Sequence, residues 1–304
     1  MDTPKTLTYE VTGPVARITL NRPERGNGIT PDLPDELAAC IERADLDPAV
    51  HVIALSGNGT GFCGGYDLQL SATEMTSGGF GAGTETGSPL DPAVVAKNHT
   101  PGETWDPMMD YQMMSRFVRG FMRLFHADKP VVCKVHGFCV AGGTDMALCS
   151  DLLVIEDKAK IGYPPARVWG VPTTALWALR IGAEKAKRLL FTGDCLSGEE
   201  ALAWGLACEC APAAELDVRF ERLLARIARV PVNQLIMMKR LVNQTLEAQG
   251  LHTTQLLGTV FDGIARHTPE GHAFQQRAQE AGFRTAVRER DEPFGDAGRA
   301  TYKG

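Results

Sequence analysis

A chain of 304 residues, 44% hydrophobic and 22% charged, can bury a sizeable core as one large domain or a domain with a smaller appendage. Its net charge of -6 argues against general affinity for nucleic acid or anionic membrane but leaves small phosphorylated ligands open. The eight cysteines stand singly in apolar segments (Cys40, Cys63, Cys133, Cys139, Cys149, Cys195) or one residue apart (Cys208, Cys210), which is neither a disulfide framework nor zinc-ligand spacing.

Buried, reduced thiols are expected, and the N-terminus has no signal-peptide pattern. No apolar run approaches the ~20 residues that span a bilayer, so the expected location is the cytoplasm.

Taken in order, Leu7 to Leu20 predicts two short strands about a Gly13-Pro14 turn. The segment Asn21-Arg22-Pro23-Glu24-Arg25-Gly26-Asn27-Gly28 is a loop. Thr30 is expected to cap a helix with Pro31 at its first position and Leu33, Leu37 and Ile41 on one face. Val50 to Leu55 reads as a buried strand, closing a strand-helix-strand unit whose crossover is right-handed if its strands pair in parallel.

That strand runs into Ser56-Gly57-Asn58-Gly59-Thr60-Gly61-Phe62-Cys63-Gly64-Gly65-Tyr66-Asp67-Leu68, a glycine-rich turn leading toward a helix. Between Ser71 and Trp105 the composition shifts to Gly, Ser, Thr and Pro, which predicts a mobile surface loop with a lid as one role. Met108, Met109, Met113, Met114, Phe117, Phe121, Met122 and Leu124 follow at roughly helical spacing. Core packing is the commoner cause of such a stripe, and an acyl pocket is the alternative.

The stretch from His136 to Asp151 organises the rest. Val131 to Val135 suits a buried strand, Ala141 to Gly143 removes side chains, and Asp145 to Cys149 begins a helix. A helix that starts on glycines offers outward N-H groups backed by its dipole, suited to a phosphate, a carboxylate or an oxyanion. The turn at Gly64-Gly65 has the same grammar, and two such turns on neighbouring strands would aim two N-H groups at one point.

Asp151 to Ile155 is a further strand, and Ile161 to Gly170 a loop constrained at Pro164 and Pro165. Ser197-Gly198-Glu199-Glu200 is a capping box before Ala201 to Trp204, and Gly205 ends that helix. From Ala213 onward the pattern is helical, with stripes Leu216-Phe220-Leu223-Leu224-Ile227 and Leu235-Met238-Leu241-Val242 and a third helix from about Pro269 to Arg290. These helices have more apolar surface than strands left to cover, so subunit contacts are expected.

Four motifs carry a family resemblance: Asn21 to Gly28; Phe62-Cys63-Gly64-Gly65-Tyr66-Asp67-Leu68; His136-Gly137 through Cys149-Ser150-Asp151; and Thr192-Gly193 through Ala207. On these the chain resembles the crotonase, or enoyl-CoA hydratase/isomerase, superfamily along nearly its whole length. The resemblance implies an α/β fold, a crotonase-like spiral of repeated β-β-α units over residues 1-211 with an inserted loop at about 71-110. Residues 212-304 would form a helical C-terminal trimerisation region, giving a homotrimer or homohexamer.

It also implies an acyl-CoA substrate, with coenzyme A as part of the substrate, no tightly bound cofactor and no metal. The backbone N-H groups of Tyr66 and Gly142 would hold the thioester oxygen as an enolate forms, each donor typically worth ~3 kcal/mol. Arg25 would meet CoA phosphates, Gly28 and Gly64 would lie along the nucleotide, Arg284 and Arg288 would be candidates for its 3'-phosphate, and Trp169 would line the acyl pocket. Hydratases of the family use two glutamates. Here the first aligns with Asp145, a candidate general base or water anchor. The second aligns with Pro165, which can do neither, and Tyr163, Glu103, Asp106 and Asp110 are the candidate replacements.

The implied function is an enoyl-CoA hydratase-like enzyme of acyl-CoA and fatty acid metabolism that adds or removes water at the 2,3-position. Pro165 keeps two alternatives open: an isomerase or hydrolase of a bulky or cyclic acyl-CoA, and a non-catalytic acyl-CoA-binding protein.

Overall fold

The computed structural model describes residues 4-67 and 92-295. Strands β1 (Leu7–Thr12) and β2 (Val15–Leu20) form the expected hairpin about Gly13, whose φ of 58° lies in the left-handed region. Helix α1 (Leu33–Leu46) then carries the chain to β3 (Val52–Gly57), which pairs in parallel with β2. α1 begins later than expected. Ile29 is still paired with the neighbouring turn, donating to Gly65 O at 2.9 Å and accepting from Asp67 N at 3.0 Å, so no helix can start there. Pro34 occupies its first turn and the Thr30 hydroxyl caps nothing.

The 71-110 loop expectation falls partly on residues 68-91, which lie outside the described residues. Beyond them it fails, because α2 (Pro92–Asn98) and the first turn of α3 (Pro107–His126) are helical. Asp106 caps α3 by accepting from Met108 N at 2.9 Å, with Pro107 at the first turn where its missing N-H costs nothing. The apolar stripe of α3 is core: Met114, Phe117, Phe121, Met122 and Leu124 are buried, whereas Met108 is exposed.

The middle of the chain repeats one unit. β4 (Val131–Val135) leads to β5 (Phe138–Val140) and α4 (Gly142–Ala147); β6 (Leu152–Glu156) leads to β7 (Lys160–Gly162) and a 3-10 turn at Pro164–Arg167. Helices α5 (Trp177–Ile181) and α6 (Ala183–Thr192), then β8 (Cys195–Leu196), α7 (Gly198–Trp204) and β9 (Glu209–Ala211), complete the core. The Ser197-Glu200 capping box forms as expected, and Gly205 ends α7 with φ 82°.

Six strands make one sheet in the order β1-β2-β3-β4-β6-β9, and β5-β7-β8 make a second. Each unit gives its first strand to the large sheet and its second to the small one. β3 does the same through Cys63, which bridges Cys139 of β5.

Strand residues alternate between two burial environments. Ile53, Leu55, Val131, Cys133, Leu153 and Ile155 face the main core. Their neighbours Val52, Ala54, Val132 and Val154 pack on α8 (Ala213–Ile227) through Leu216, Phe220 and Leu224. A parallel sheet covered on both faces requires continuous apolar strands, which these are.

The tail continues as α9 (Val232–Ala248), α10 (Leu251–Arg266), α11 (Pro269–Ala281) and α12 (Phe283–Asp291). The single helix expected from Pro269 to Arg290 is broken at Gly282, whose φ of 85° no helix can hold. α12 is tied back to the Pro164–Arg167 turn: Arg167, with a side chain only 2% exposed, pairs with Asp291 at 3.0 Å and Asp194 at 3.3 Å. Six cysteines are buried as expected, but Cys208 is exposed and Cys210 half-buried, because they enter β9 at the edge of the large sheet. Among the described residues no helix is long and apolar enough to cross a membrane.

Candidate active site

The two glycine turns meet. Val140 N donates to Cys63 O at 3.0 Å, and Phe62 N to Phe138 O at 2.9 Å, lacing the β3 turn to β5. A Cβ on Gly65, where φ is 97°, would lie 2.8 Å from Ala141 Cβ and 3.5 Å from Gly142 N. A Cβ on Gly142 would lie 2.6 Å from Tyr66 Cε2, and one on Gly143 2.6 Å from Cys63 O. Only glycine permits this approach. It sets the Gly65-Tyr66 turn against the start of α4, and among the described residues neither the Tyr66 nor the Gly142 N-H has a backbone acceptor. Ala141, just before Gly142, is held at φ 53°, a strained value for alanine that tertiary packing imposes.

Asp145 follows one turn below Gly142 on the same face of α4. It is 1% exposed. Its Oδ1 accepts from Thr174 N at 3.2 Å and Thr174 Oγ1 at 2.9 Å, while Oδ2 has no hydrogen-bond partner among the described residues. Burial pushes its carboxyl up to about 7, partly offset by the Thr174 hydrogen bonds, and the nearby Asp262 charge adds to the rise. A carboxyl that titrates near neutrality, with one oxygen unengaged, can both take and return a proton.

The candidate replacements for the second glutamate are otherwise engaged or distant in role. Tyr163 is buried with its hydroxyl donating to Val171 O at 3.0 Å, and burial raises its phenol well above 10. Glu103 is exposed, and Asp106 is the α3 cap. Asp110 accepts from Trp105 Nε1 at 2.6 Å, Asn98 Nδ2 at 3.2 Å and Arg266 at 2.9 Å. Although burial opposes its charge, His99 and Arg266 hold its carboxyl well below the usual carboxylate range.

His99, Asp110 and His267 have the composition of a metal site, with ligand atoms within 4.8 Å of one another. Their chemistry is that of a polar clamp instead. Both ring nitrogens of His267 face backbone carbonyls, Gly263 O at 2.8 Å and Asn98 O at 3.0 Å, and Asp110 already accepts from Asn98, Trp105 and Arg266, with His99 Nε2 3.2 Å away.

The binding residues fall into separate groups. Arg25 and Arg22 both pair with buried Asp67, at 3.0 and 2.9 Å, and Arg22 also donates to Gly28 O at 2.7 Å. Gly64 N donates to Gly26 O at 2.9 Å, so the exposed Arg25 and Gly64 share one corner beside the glycine turn, with Gly28 buried beneath it. Arg22 is a member of that corner that sequence reasoning left in a generic loop.

Trp169 packs on Phe274 of α11, ring centroids 5.1 Å apart, and so contributes to docking of the tail. Arg284 and Arg288 are exposed on α12. No described contact joins Trp169 or these arginines to the Tyr66-Gly142 pair. Thr173 and Thr174, which serve Asp145, were missed, since nothing in a Pro-Thr-Thr run signals contact with a helix 29 residues earlier.

Residues 10-88 and 104-278 match the sequence model described as enoyl-CoA hydratase/isomerase. The chain belongs to the enoyl-CoA hydratase/isomerase family. An enoyl-CoA hydratase of Mycobacterium smegmatis, known by crystal structure, is 59% identical to it, with a TM-score of 0.91 over 99% of this chain and 98% of that one. An enoyl-CoA hydratase/isomerase of Xanthobacter autotrophicus is 25% identical, with a TM-score of 0.80 over 96% and 99%. The 1,2-epoxyphenylacetyl-CoA isomerase of Escherichia coli is 26% identical over 77% of this chain and 82% of its own.

The enoyl-CoA hydratase/isomerase assignment bears out the expected crotonase spiral and makes the chain an enzyme of an acyl-CoA-using family. Members named for hydration and for isomerisation both occur among its relatives.

Proposed function

We propose that this protein is an enoyl-CoA hydratase in which the Tyr66 and Gly142 N-H groups hold the thioester oxygen and Asp145 handles the proton. One observation carries the reading: a buried carboxylate with an unengaged oxygen stands one helical turn from the glycine that opens the oxyanion site. As negative charge develops on the thioester oxygen, fixed N-H dipoles stabilise it without reorganisation. Arg25, Gly28 and Gly64 would take the CoA nucleotide at their shared corner, with Arg284 and Arg288 toward its 3'-phosphate, and Tyr163 and Trp169 would shape the acyl side.

Product mass from a panel of 2-enoyl-CoA esters tests the reading, with gain of one water as the expected result. An unchanged mass with a moved double bond would favour isomerisation, the second reading, which Pro165 in place of a second acid supports. Released free CoA, or binding with no turnover, would sink both.

The tail is proposed to join copies of the chain into a trimer or a pair of trimers. On adjoining α9 and α10, Leu241 is 64% exposed, Val242 60% and Phe261 50%, an apolar face that water disfavours. Light scattering should give a multiple of the 32.9 kDa chain mass, and Leu241→Glu with Phe261→Glu should reduce it to one chain. A wild-type protein that scatters as a single chain would refute the assembly.

A further inference from the structure

Three polar atoms buried around Asp145 have no hydrogen-bond partner among the described residues: Asp145 Oδ2, Thr173 Oγ1 and Tyr66 Oη. Buried polar groups in folded proteins are almost always hydrogen-bonded, so three left unsatisfied side by side point to a shared partner. Their placement follows from the fold. The Tyr66 ring lies on Gly142, with Cε2 2.6 Å from where a Cβ there would stand, so it runs along the α4 face that carries Asp145 one turn on.

Thr173 reaches the same point from the other side. The loop 171-174 is clamped between two helices: Thr174 donates to Asp145, Gln255 Nε2 of α10 donates to Thr174 O at 3.1 Å, and Asp262 accepts from Val171 N at 3.3 Å. A Cβ on Gly258 of α10 would lie 2.9 Å from Pro172 O, so α10 presses directly on that loop. Thr173 itself is 1% exposed. Its hydroxyl is near enough to both Asp145 and Tyr66 to favour their charged forms, yet it is in hydrogen-bond geometry with neither.

From this convergence we infer that Asp145 Oδ2, Thr173 Oγ1 and Tyr66 Oη together hold the water that adds to the substrate, taking the place of the second carboxylate that Pro165 removes. The inference rests on the hydratase reading above. It matches the donor and acceptor inventory. Burial keeps the Tyr66 phenol protonated, so it donates; the Thr173 hydroxyl oxygen can accept; ionised Asp145 only accepts. One water accepts from the Tyr66 hydroxyl and donates one hydrogen to Asp145 Oδ2 and the other to Thr173 Oγ1, which leaves a lone pair free to attack.

The chemistry balances without another reactant. The water oxygen forms a bond to C3, the C2-C3 π pair moves onto the thioester as an enolate held by the Tyr66 and Gly142 N-H groups, and the water proton passes to Asp145. Asp145 returns that proton to C2 as the enolate collapses, and one water has been added. Tyr66 thus acts twice, with its backbone on the thioester oxygen and its phenol on the water.

The test is Tyr66→Phe and Thr173→Val, each of which removes a hydroxyl and keeps the backbone N-H and side-chain shape. Hydration kcat should fall roughly 10- to 100-fold in each, with KM for the CoA ester little changed, because a misplaced nucleophile slows the reaction without loosening the thioester. Exchange of the C2 hydrogens of a saturated acyl-CoA in D2O needs Asp145 and the oxyanion donors but no added water, and should survive in both variants. Thr173→Val should not lower unfolding stability, since its hydroxyl has no hydrogen-bond partner to lose among the described residues.

Wild-type hydration rates in both variants, or parallel loss of exchange and hydration, would overturn the inference alone. A wild-type enzyme that adds water to no enoyl-CoA would remove the hydratase reading and the inference with it.

Discussion

Asp145→Asn should lose at least about 100-fold in kcat, the range general acid-base groups supply, while acyl-CoA binding survives. The same variant should be more stable than the wild type above neutral pH. In the unfolded chain the Asp145 carboxyl has its ordinary value of 3.8, and in the folded protein burial pushes it up to about 7. The folded state therefore binds more protons than the unfolded one between these values, and stability falls as pH rises through that window. About three pH units correspond to an order of 4 kcal/mol, present in full only below the unfolded value and lost above about 7.

Asparagine keeps an oxygen for Thr174 and never carries the charge, so urea unfolding should show a stability gap between variant and wild type that opens from about pH 4 and levels off above about pH 7. Wild-type hydration, if Asp145 acts as base, should rise with pH over the upper part of the same interval. An Asp145→Asn protein that is fully active, or one less stable than wild type at pH 8, would show the buried carboxylate to be structural.

This coupling of poor stability to good chemistry explains which parts of the site can be read from residues in order. The glycines at Gly64-Gly65 and Gly142-Gly143 are local necessities: each marks a place where backbone must pass backbone, and both turns end strands whose apolar runs are equally plain. Asp145 was visible because it sits a helical turn from one of them. Its environment was not. Thr173 and Thr174 arrive from a loop beyond β7, and Asp262 from α10, by long-range packing that no periodicity encodes.

The errors are also physical. Thr30 and Pro31 carry a helix-start signal, but the cross-chain pairing of Ile29 with Gly65 and Asp67 outcompetes it. Asp106-Pro107 is an equally good start signal, overlooked inside a segment whose composition suggested only loop. The aromatic at Trp169 and the arginines of α12 show the opposite fault, since side chains suited to a ligand are also suited to docking and to solvent.

Gly65→Ala should damage the oxyanion site more than any conservative change elsewhere in the turns. Its φ of 97° is open to glycine and disfavoured for alanine, and the added carbon would stand 2.8 Å from Ala141 Cβ and 3.3 Å from Val140 O. Relief requires the Tyr66 turn to move away from Gly142, which separates the two donors. Loss of one oxyanion donor costs about 100- to 1000-fold in kcat, so a loss in that range is expected with little change in KM, because the developing charge uses these donors more than the ground-state carbonyl does.

Infrared spectra of a bound, carbon-labelled thioester should show the carbonyl band moving back toward its position in water. Gly13→Ala supplies the comparison: φ there is 58°, but a Cβ meets nothing within 4 Å, and the residue lies in the β1-β2 hairpin outside the site. It should cost about 1 kcal/mol of stability and leave kcat unchanged. Equal activity losses in the two variants would mean that backbone strain anywhere slows the enzyme. A loss confined to Gly65→Ala would tie the rate to the approach of Tyr66 and Gly142, which is where two strands, two glycine turns and one strained alanine have been brought to bear on a single point.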